Sequence, residues 1–193
     1  MTVGVLLLAA GQGRRFGSDK RLALLPTGRT LLAATVDNIR QAGLPLRVCL
    51  RPGEDAVAAE AGLSLVDIII CSQAQFGMGR TLAEGVSRMP EWEGLLVALA
   101  DLPGIKPETF LKVAAGLESH TIVVPTWRGT PGHPVGFGKA WLPQLAMLSG
   151  DSGARDVVRG AGLKRHLLAV DDPGVVQDID LPADIVGHVV TPP

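Results

Sequence analysis

Apolar, branched residues gather in short runs along the chain: Val3–Ala10, Leu46–Leu50, Val66–Cys71, Leu95–Ala100, Thr121–Val124 and His166–Val170. The runs are nearly continuous rather than alternating, the pattern of strands covered on both faces. Between most of them the spacing changes to three and four. Leu32, Val36 and Ile39 share one helical face, closed by Gly43. Leu82, Val86 and Met89 repeat that spacing, with Thr81 and Glu84 placed as a capping box. Pro107 opens a further helix with Phe110, Val113, Ala114 and Leu117 on one face. Strands alternating with helices predict an α/β fold with a mostly parallel sheet. The Gly/Pro-rich stretch from Pro125 to Gly138 reads as the main irregular region.

In sheets of this kind ligands bind beyond the carboxyl ends of the strands. The first run falls there into Gly11-Gln12-Gly13-Arg14-Arg15-Phe16-Gly17-Ser18-Asp19-Lys20. Glycines let backbone N–H groups approach an anion, and Arg15 and Lys20 add mobile positive charge. Two cations on one short loop suit a polyphosphate; Arg14 reads as solvent-facing. The loop is neither dinucleotide fingerprint nor Walker A. Phe16 stands where the fingerprint needs its third glycine, and Lys20 comes two residues too late for the P-loop.

Composition narrows the partners. The 193 residues suit one domain spanning 1–193. Hydrophobic residues make up 47%, which excludes a disordered chain. The 18 basic and 19 acidic side chains leave a net charge of −1, so no global field attracts nucleic acid, and an anion site must be local. Cys49 and Cys71, each inside an apolar run, read as buried free thiols of a cytoplasmic protein. The start has no basic segment before its short apolar run, and no stretch is long enough to span a bilayer; neither a signal peptide nor a membrane partner is expected.

The opening pattern L-A-A-G-x-G-x-R-F-G-x-x-K, followed by Leu24-Leu25-Pro26, Gly28 and Leu31-Leu32, resembles the signature of nucleotidyltransferases. Within that group the chain most resembles the molybdenum cofactor cytidylyltransferases and their MobA-like relatives. The resemblance implies a Rossmann-like three-layer α/β/α nucleotidyltransferase fold. It also implies transfer of CMP from CTP, with Mg2+, to the phosphate of molybdopterin, releasing pyrophosphate. Leu8, Ala9, Ala10, Gly11, Gly13, Arg15 and Lys20 would then bind the nucleotide, with Arg15, Lys20 and Asp101 catalytic.

Further positions carry the same resemblance. Asp101 follows the fourth run and precedes Leu102-Pro103, where the family places a metal-binding aspartate; a turn or N-cap role is the alternative. The stretch Gln177-Asp178-Ile179-Asp180-Leu181-Pro182-Ala183-Asp184 resembles the family's closing D-x-D-T-P-E-D, with Leu181 and Ala183 departing from it. Strand alternation would turn Asp178 and Asp180 to one face. Asp180 is the expected second metal ligand and Asp178 the fallback, with N-capping by Asp180 the alternative. A D-x-D also occurs in glycosyltransferases, but there it follows a central strand, where this chain has only Asp101.

Gln73, Gly77, Gly79 and Thr81 lie in a segment resembling the family's G-M-G-x-[ST]-L, implied to hold the base; Arg51 is a weaker candidate. On the acceptor side, Gly132-His133-Pro134-Val135-Gly136-Phe137 resembles G-x-P-V-x-F, and Gly150-Asp151-Ser152-Gly153-Ala154-Arg155 resembles G-D-x-G-A-R. These offer His133, Pro134, Ser152 and Gly153, by contact or as scaffolding. His120, His166 and His188 have no ligand spacing. Trp92 falls in a loop, and Trp127 and Trp141 flank the acceptor region. Rival readings are a guanylyltransferase, a sugar-phosphate nucleotidyltransferase, and a non-catalytic nucleotide-binding or docking module. A molybdoenzyme or its chaperone is the expected recipient of the product.

Overall fold

The computed structural model describes residues 1–11 and 16–186. Gly13, Arg14, Arg15 and His188 lie outside the described residues. Among those described, eight strands form one sheet: β1 (Val3–Leu8), β2 (Leu46–Leu50), β3 (Ile68–Ile70), β4 (Gly94–Leu99), β5 (Ile122–Trp127), β6 (Thr130–Pro131), β7 (Val135–Gly138) and β8 (Arg165–Ala169). The order is β3-β2-β1-β4-β7-β5; β6 continues from β5 as a hairpin, and β8 pairs with β5. The pairs β3·β2, β2·β1, β1·β4 and β5·β8 are parallel, while β7 runs antiparallel to β4 and β5. The α/β class with a mostly parallel sheet is therefore present.

The parity of β1 shows how the layers form. All six of its residues are buried. Val3, Val5 and Leu7 pack on one face, against helices α1 (Leu31–Gln41), α2 (Asp55–Glu60) and α4 (Pro107–Ala115). Leu6 and Leu8 pack on the other, against α3 (Met78–Arg88), α5 (Leu142–Leu145) and α6 (Arg155–Gly160). A final short helix, α7 (Pro182–Val186), follows the C-terminal loop. Two hydrophobic faces covered by helices give three layers.

Local chemistry sets the helix starts. Thr30 caps α1 by accepting the Ala33 amide at 3.3 Å, and Gly43, at φ +69°, turns the chain out of its far end. Pro107 opens α4 as expected, and a distant carboxylate completes its cap: Asp172 accepts the Lys106 amide at 2.9 Å and the Thr109 hydroxyl at 2.6 Å. The start expected for α3 is corrected. Gly77, not a residue just before Leu82, is the N-cap, so Thr81 lies inside the first turn and donates to the Gly77 carbonyl at 3.2 Å. Glu84 instead accepts from Ser72 and the Gln73 amide, which ties the preceding loop to the helix.

The stretch from Pro125 to Gly138 is also corrected, from irregular to a β-hairpin. Arg128 at φ +49° and Gly129 at φ +83° form the two-residue turn between β5 and β6. In β7, Val135 and Phe137 face one core. A Cβ on Gly136 would lie 2.9 Å from Val113 Cγ1, and one on Gly138 2.0 Å from the Glu118 carbonyl oxygen. These glycines let the region around α4 press on the strand, which is why a poor strand former sits in mid-sheet.

Cys49 and Cys71 are buried free thiols. Cys71 beside it, and then burial, push the Cys49 thiol above its ordinary value. Trp92 is buried over Gly4, where a Cβ would meet its ring at 2.3 Å. Among the described residues, no helix is long and apolar enough to cross a membrane.

Candidate active site

Strands β1 and β4 are parallel neighbours with Leu8 opposite Leu99, so both open onto the same sheet edge. The amide of Ala100 bonds the Leu8 carbonyl at 3.3 Å, holding the two strand ends level. Beyond them lies a cleft of about 530 Å3. Leu8, Ala9, Ala10 and Gly11, at the end of β1, line it together with Lys20, Asp101, Gly77 and Thr81.

Lys20 stands on a single 3-10 turn, Lys20–Leu22. Its Nζ lies 3.1 Å from Asp101 Oδ2 and 3.2 Å from Asp180 Oδ1. Burial alone would lower the ammonium's pKa, but the two carboxylates outweigh it and hold it above its ordinary value. The C-terminal segment reaches this place through Ile179. That side chain is fully buried with Leu25, Leu31 and Ala34, and its amide donates to the Asp101 carbonyl at 2.9 Å. Residues 177–180 are not a strand, which corrects the alternation expected of Asp178 and Asp180. Asp178 is exposed; Asp180 is brought to Lys20 and Asp101. At the start of the last helix, Asp184 accepts the amides of Asp180 and Leu181, at 2.9 and 2.7 Å.

Beneath Lys20 lies a network that sequence reasoning missed. Arg21 is 5% exposed. It donates to the Ala9 carbonyl at 2.6 Å, to both oxygens of Asp19, and bidentately to Glu54 at 2.5 and 2.8 Å. Asp19 also caps the Lys20 turn through the Arg21 amide. Arg51 bonds Glu54 as well, which occupies the residue considered for base contact. The available signal was an Asp-Lys-Arg triplet, with Glu54 just beyond β2. The Arg21 guanidinium holds Asp19 below the usual carboxylate range. Burial pushes Glu54 up, but Arg21 and Arg51 outweigh that and hold it low.

The loop opening α3 is shaped by close approach. Gly77 has φ +110°, and a Cβ there would lie 2.3 Å from Asp151 Oδ1 and 2.5 Å from the Gly150 carbonyl. The Gly79 amide donates to the Gly150 carbonyl at 2.8 Å, so it is spent on protein. Gln73 accepts from Arg80 Nε at 2.6 Å and lies outside the cleft lining. Asp151 joins the lining from the facing segment. Ser152 is exposed, and Gly153 is buried beneath Met78. His133 and Pro134 stand beside β4, outside the cleft lining, with His133 Nδ1 3.4 Å from the Val97 carbonyl. Desolvation lowers the imidazole's pKa against the opposing pull of Val97 and Asp101. Trp127 carries Arg128 over its ring at 4.6 Å, and Trp141 donates to the His120 carbonyl.

No group of three or more His, Cys, Asp or Glu side chains could hold a metal among the described residues. A two-carboxylate site still fits a hard divalent ion that keeps water and phosphate oxygens in its shell. Asp101 Oδ1 is buried without a hydrogen-bond partner among the described residues. A buried carboxylate oxygen left unsatisfied is costly, and a cation answers it.

Residues 5–169 match the family profile described as a MobA-like NTP transferase domain. The chain is 27% identical over 184 residues to nicotine blue oxidoreductase of Paenarthrobacter nicotinovorans, covering 91% of this chain and 90% of that one. It is 26% identical over 196 residues to the purine catabolism protein PucB of Bacillus subtilis, covering 94% and 93%. The crystal structure of Rv0371c from Mycobacterium tuberculosis in complex with manganese superposes with a TM-score of 0.80 at 27% identity, covering 97% of each chain. The matched span runs from β1 through β8 and contains the cleft residues at the end of β1, Lys20 and Asp101; the chain belongs to the MobA-like NTP transferase family, a nucleotidyltransferase family.

Proposed function

We propose that the cleft transfers CMP from CTP to the phosphate of a molybdopterin-type acceptor, with release of pyrophosphate. The observation that carries the reading is the cluster of Lys20, Asp101 and Asp180 at the shared edge of β1 and β4, with Asp101 Oδ1 buried and unpartnered among the described residues. When bound there, Mg2+ would be held by Asp101 and Asp180 and would neutralise charge on phosphate oxygens.

The chain's own residues do the rest. Ala9, Ala10 and Gly11 offer a close backbone lining, with Gly13 and Arg15 expected to extend it. Arg15 and Lys20 offset charge growing on the α-phosphate and the leaving pyrophosphate. No protein nucleophile is needed, because an acceptor phosphate oxygen attacks the α-phosphorus in line. Gly77 and Thr81 border the place for the base. His133, Pro134, Ser152 and Gly153 belong to the acceptor side, as contacts or as scaffold. The choice of CTP over GTP, and of molybdopterin over a sugar phosphate, rests on the likeness of the Gly132–Phe137 and Gly150–Arg155 segments to the cytidylyl branch. Delivery to a molybdoenzyme or its chaperone, in the cytoplasm, completes this reading.

A second reading has its own support: one relative of nearly full coverage is named an oxidoreductase. Against it, the opening loop lacks the dinucleotide fingerprint. Pyrophosphate release with Mg2+ separates the two. CTP, GTP, ATP and UTP are offered in parallel, with and without molybdenum-loaded molybdopterin. Release with CTP only when acceptor is present is expected. Release with GTP moves the protein to guanylyl transfer, and silence with every NTP and every phosphate acceptor overturns the proposal.

A further inference from the structure

We propose that Lys20 is the resident cation of the Asp101–Asp180 pair and surrenders that pair to a divalent ion as nucleotide binds, its ammonium moving to the phosphates. The inference rests on the metal assignment above and adds how the site is kept ready without metal.

The geometry is that of a stand-in. The Lys20 ammonium lies 3.1 Å from one carboxylate and 3.2 Å from the other, and the two carboxylates come from segments far apart in the chain. Two carboxylates converging on one site repel each other, and a cation held between them offsets that repulsion. An ammonium and a dication bound to the same carboxylates repel strongly at this range. Occupation by the ion therefore weakens the hold on Lys20.

The side chain is built to move while its backbone is not. Lys20 sits between Asp19, which caps the turn, and Arg21, which is fastened to Ala9 and Glu54. That clamp fixes the Cα. The four-carbon stem carries three rotatable donors and can reach a new set of oxygens. Lys20 also lines the open cleft, so phosphates seated there would come within its sweep. By linkage, nucleotide that draws Lys20 away raises metal affinity, and metal that displaces Lys20 raises nucleotide affinity. Metal alone must compete with a tethered cation.

The test counts free Mn2+ by electron paramagnetic resonance with the full chain and no nucleotide. Wild type is compared with Lys20→Met, Lys20→Gln and Asp101→Asn, each checked for a cooperative thermal transition. Both lysine variants are expected to bind Mn2+ about tenfold more tightly than wild type, as removal of a nearby like charge predicts. Adding α,β-methylene-CTP is expected to tighten Mn2+ binding in wild type and to do so by a smaller factor in Lys20→Met. Equal or weaker Mn2+ binding by both lysine variants, with binding abolished in Asp101→Asn, overturns the exchange and leaves the metal site standing. Absence of Mn2+ binding in every protein overturns the metal assignment and the exchange together.

Discussion

The backbone amide of Ile179 donates to the carbonyl of Asp101 at 2.9 Å, and this bond joins the C-terminal segment to the end of β4. It sets Asp180 beside the carboxylate that follows the strand. Burial of the Ile179 side chain with Leu25, Leu31 and Ala34 holds it in place. Ile179→Ala is therefore predicted to lower stability by about 2–5 kcal/mol, the usual range for truncating a buried isoleucine. It should also weaken Mn2+ binding by detaching Asp180. Urea melts and Mn2+ titration check both effects; a destabilised variant with unchanged Mn2+ affinity would separate Ile179 from the site.

Arg21 is predicted to be the most costly cation to remove. Arg21→Met leaves Glu54 and Asp19 without their main partner and frees the Ala9 carbonyl. Breaking a buried pair on one side costs about 3–5 kcal/mol. Chemical denaturation measures it, and a loss under about 1 kcal/mol would mean the network contributes no more than a surface pair.

The same network gives a pH signature. Asp19 and Glu54 are held below their ordinary values of 3.8 and 4.5, so the folded state binds these protons more weakly than the unfolded chain. Their contribution is complete above those ordinary values and is lost as pH falls through the lower folded ones. His133 is held below 6.5 by desolvation, so it adds an earlier loss as pH drops beneath that value. The urea midpoint should fall in these two stages. Arg21→Met should flatten the lower stage and keep the upper one; an unchanged acid limb in that variant contradicts the assignment.

Much of this was legible beforehand, for identifiable reasons. The β1 and β4 runs carry nearly continuous apolar residues, and the polar residues just past them mark the ligand edge, so Lys20 and Asp101 stood out. Strand β7, which follows the hairpin at Trp127–Thr130, was hidden because it alternates glycine with Val135 and Phe137. Glycine there records the closeness of α4, which is a tertiary fact. The position of Asp180 near Asp101 was expected from resemblance, whereas the shared face expected of Asp178 and Asp180 needed a strand that residues 177–180 do not form. Arg21, Asp19 and Glu54 escaped because a buried arginine looks like any other until its partners are folded around it.

The two C-terminal aspartates differ in placement: Asp180 lies 3.2 Å from the Lys20 ammonium, and Asp178 is exposed. Lys20→Ala, Arg15→Ala and Asp180→Asn are each predicted to lower kcat about a hundredfold or more, as loss of a charge-stabilising group does. Asp178→Asn, at an exposed position, should stay within about twofold of wild type. Steady-state pyrophosphate release reads all four, and equal effects at Asp178 and Asp180 would refute the assignment.

The central claim is tested most directly by following the α-phosphorus. CTP labelled there is mixed with Mg2+, molybdenum-loaded molybdopterin and enzyme, and the fate of the label is counted against pyrophosphate. Nucleotidyl transfer predicts label on the acceptor with one pyrophosphate released for each. Label remaining wholly in CTP, or appearing as free CMP at the same rate without acceptor, contradicts it.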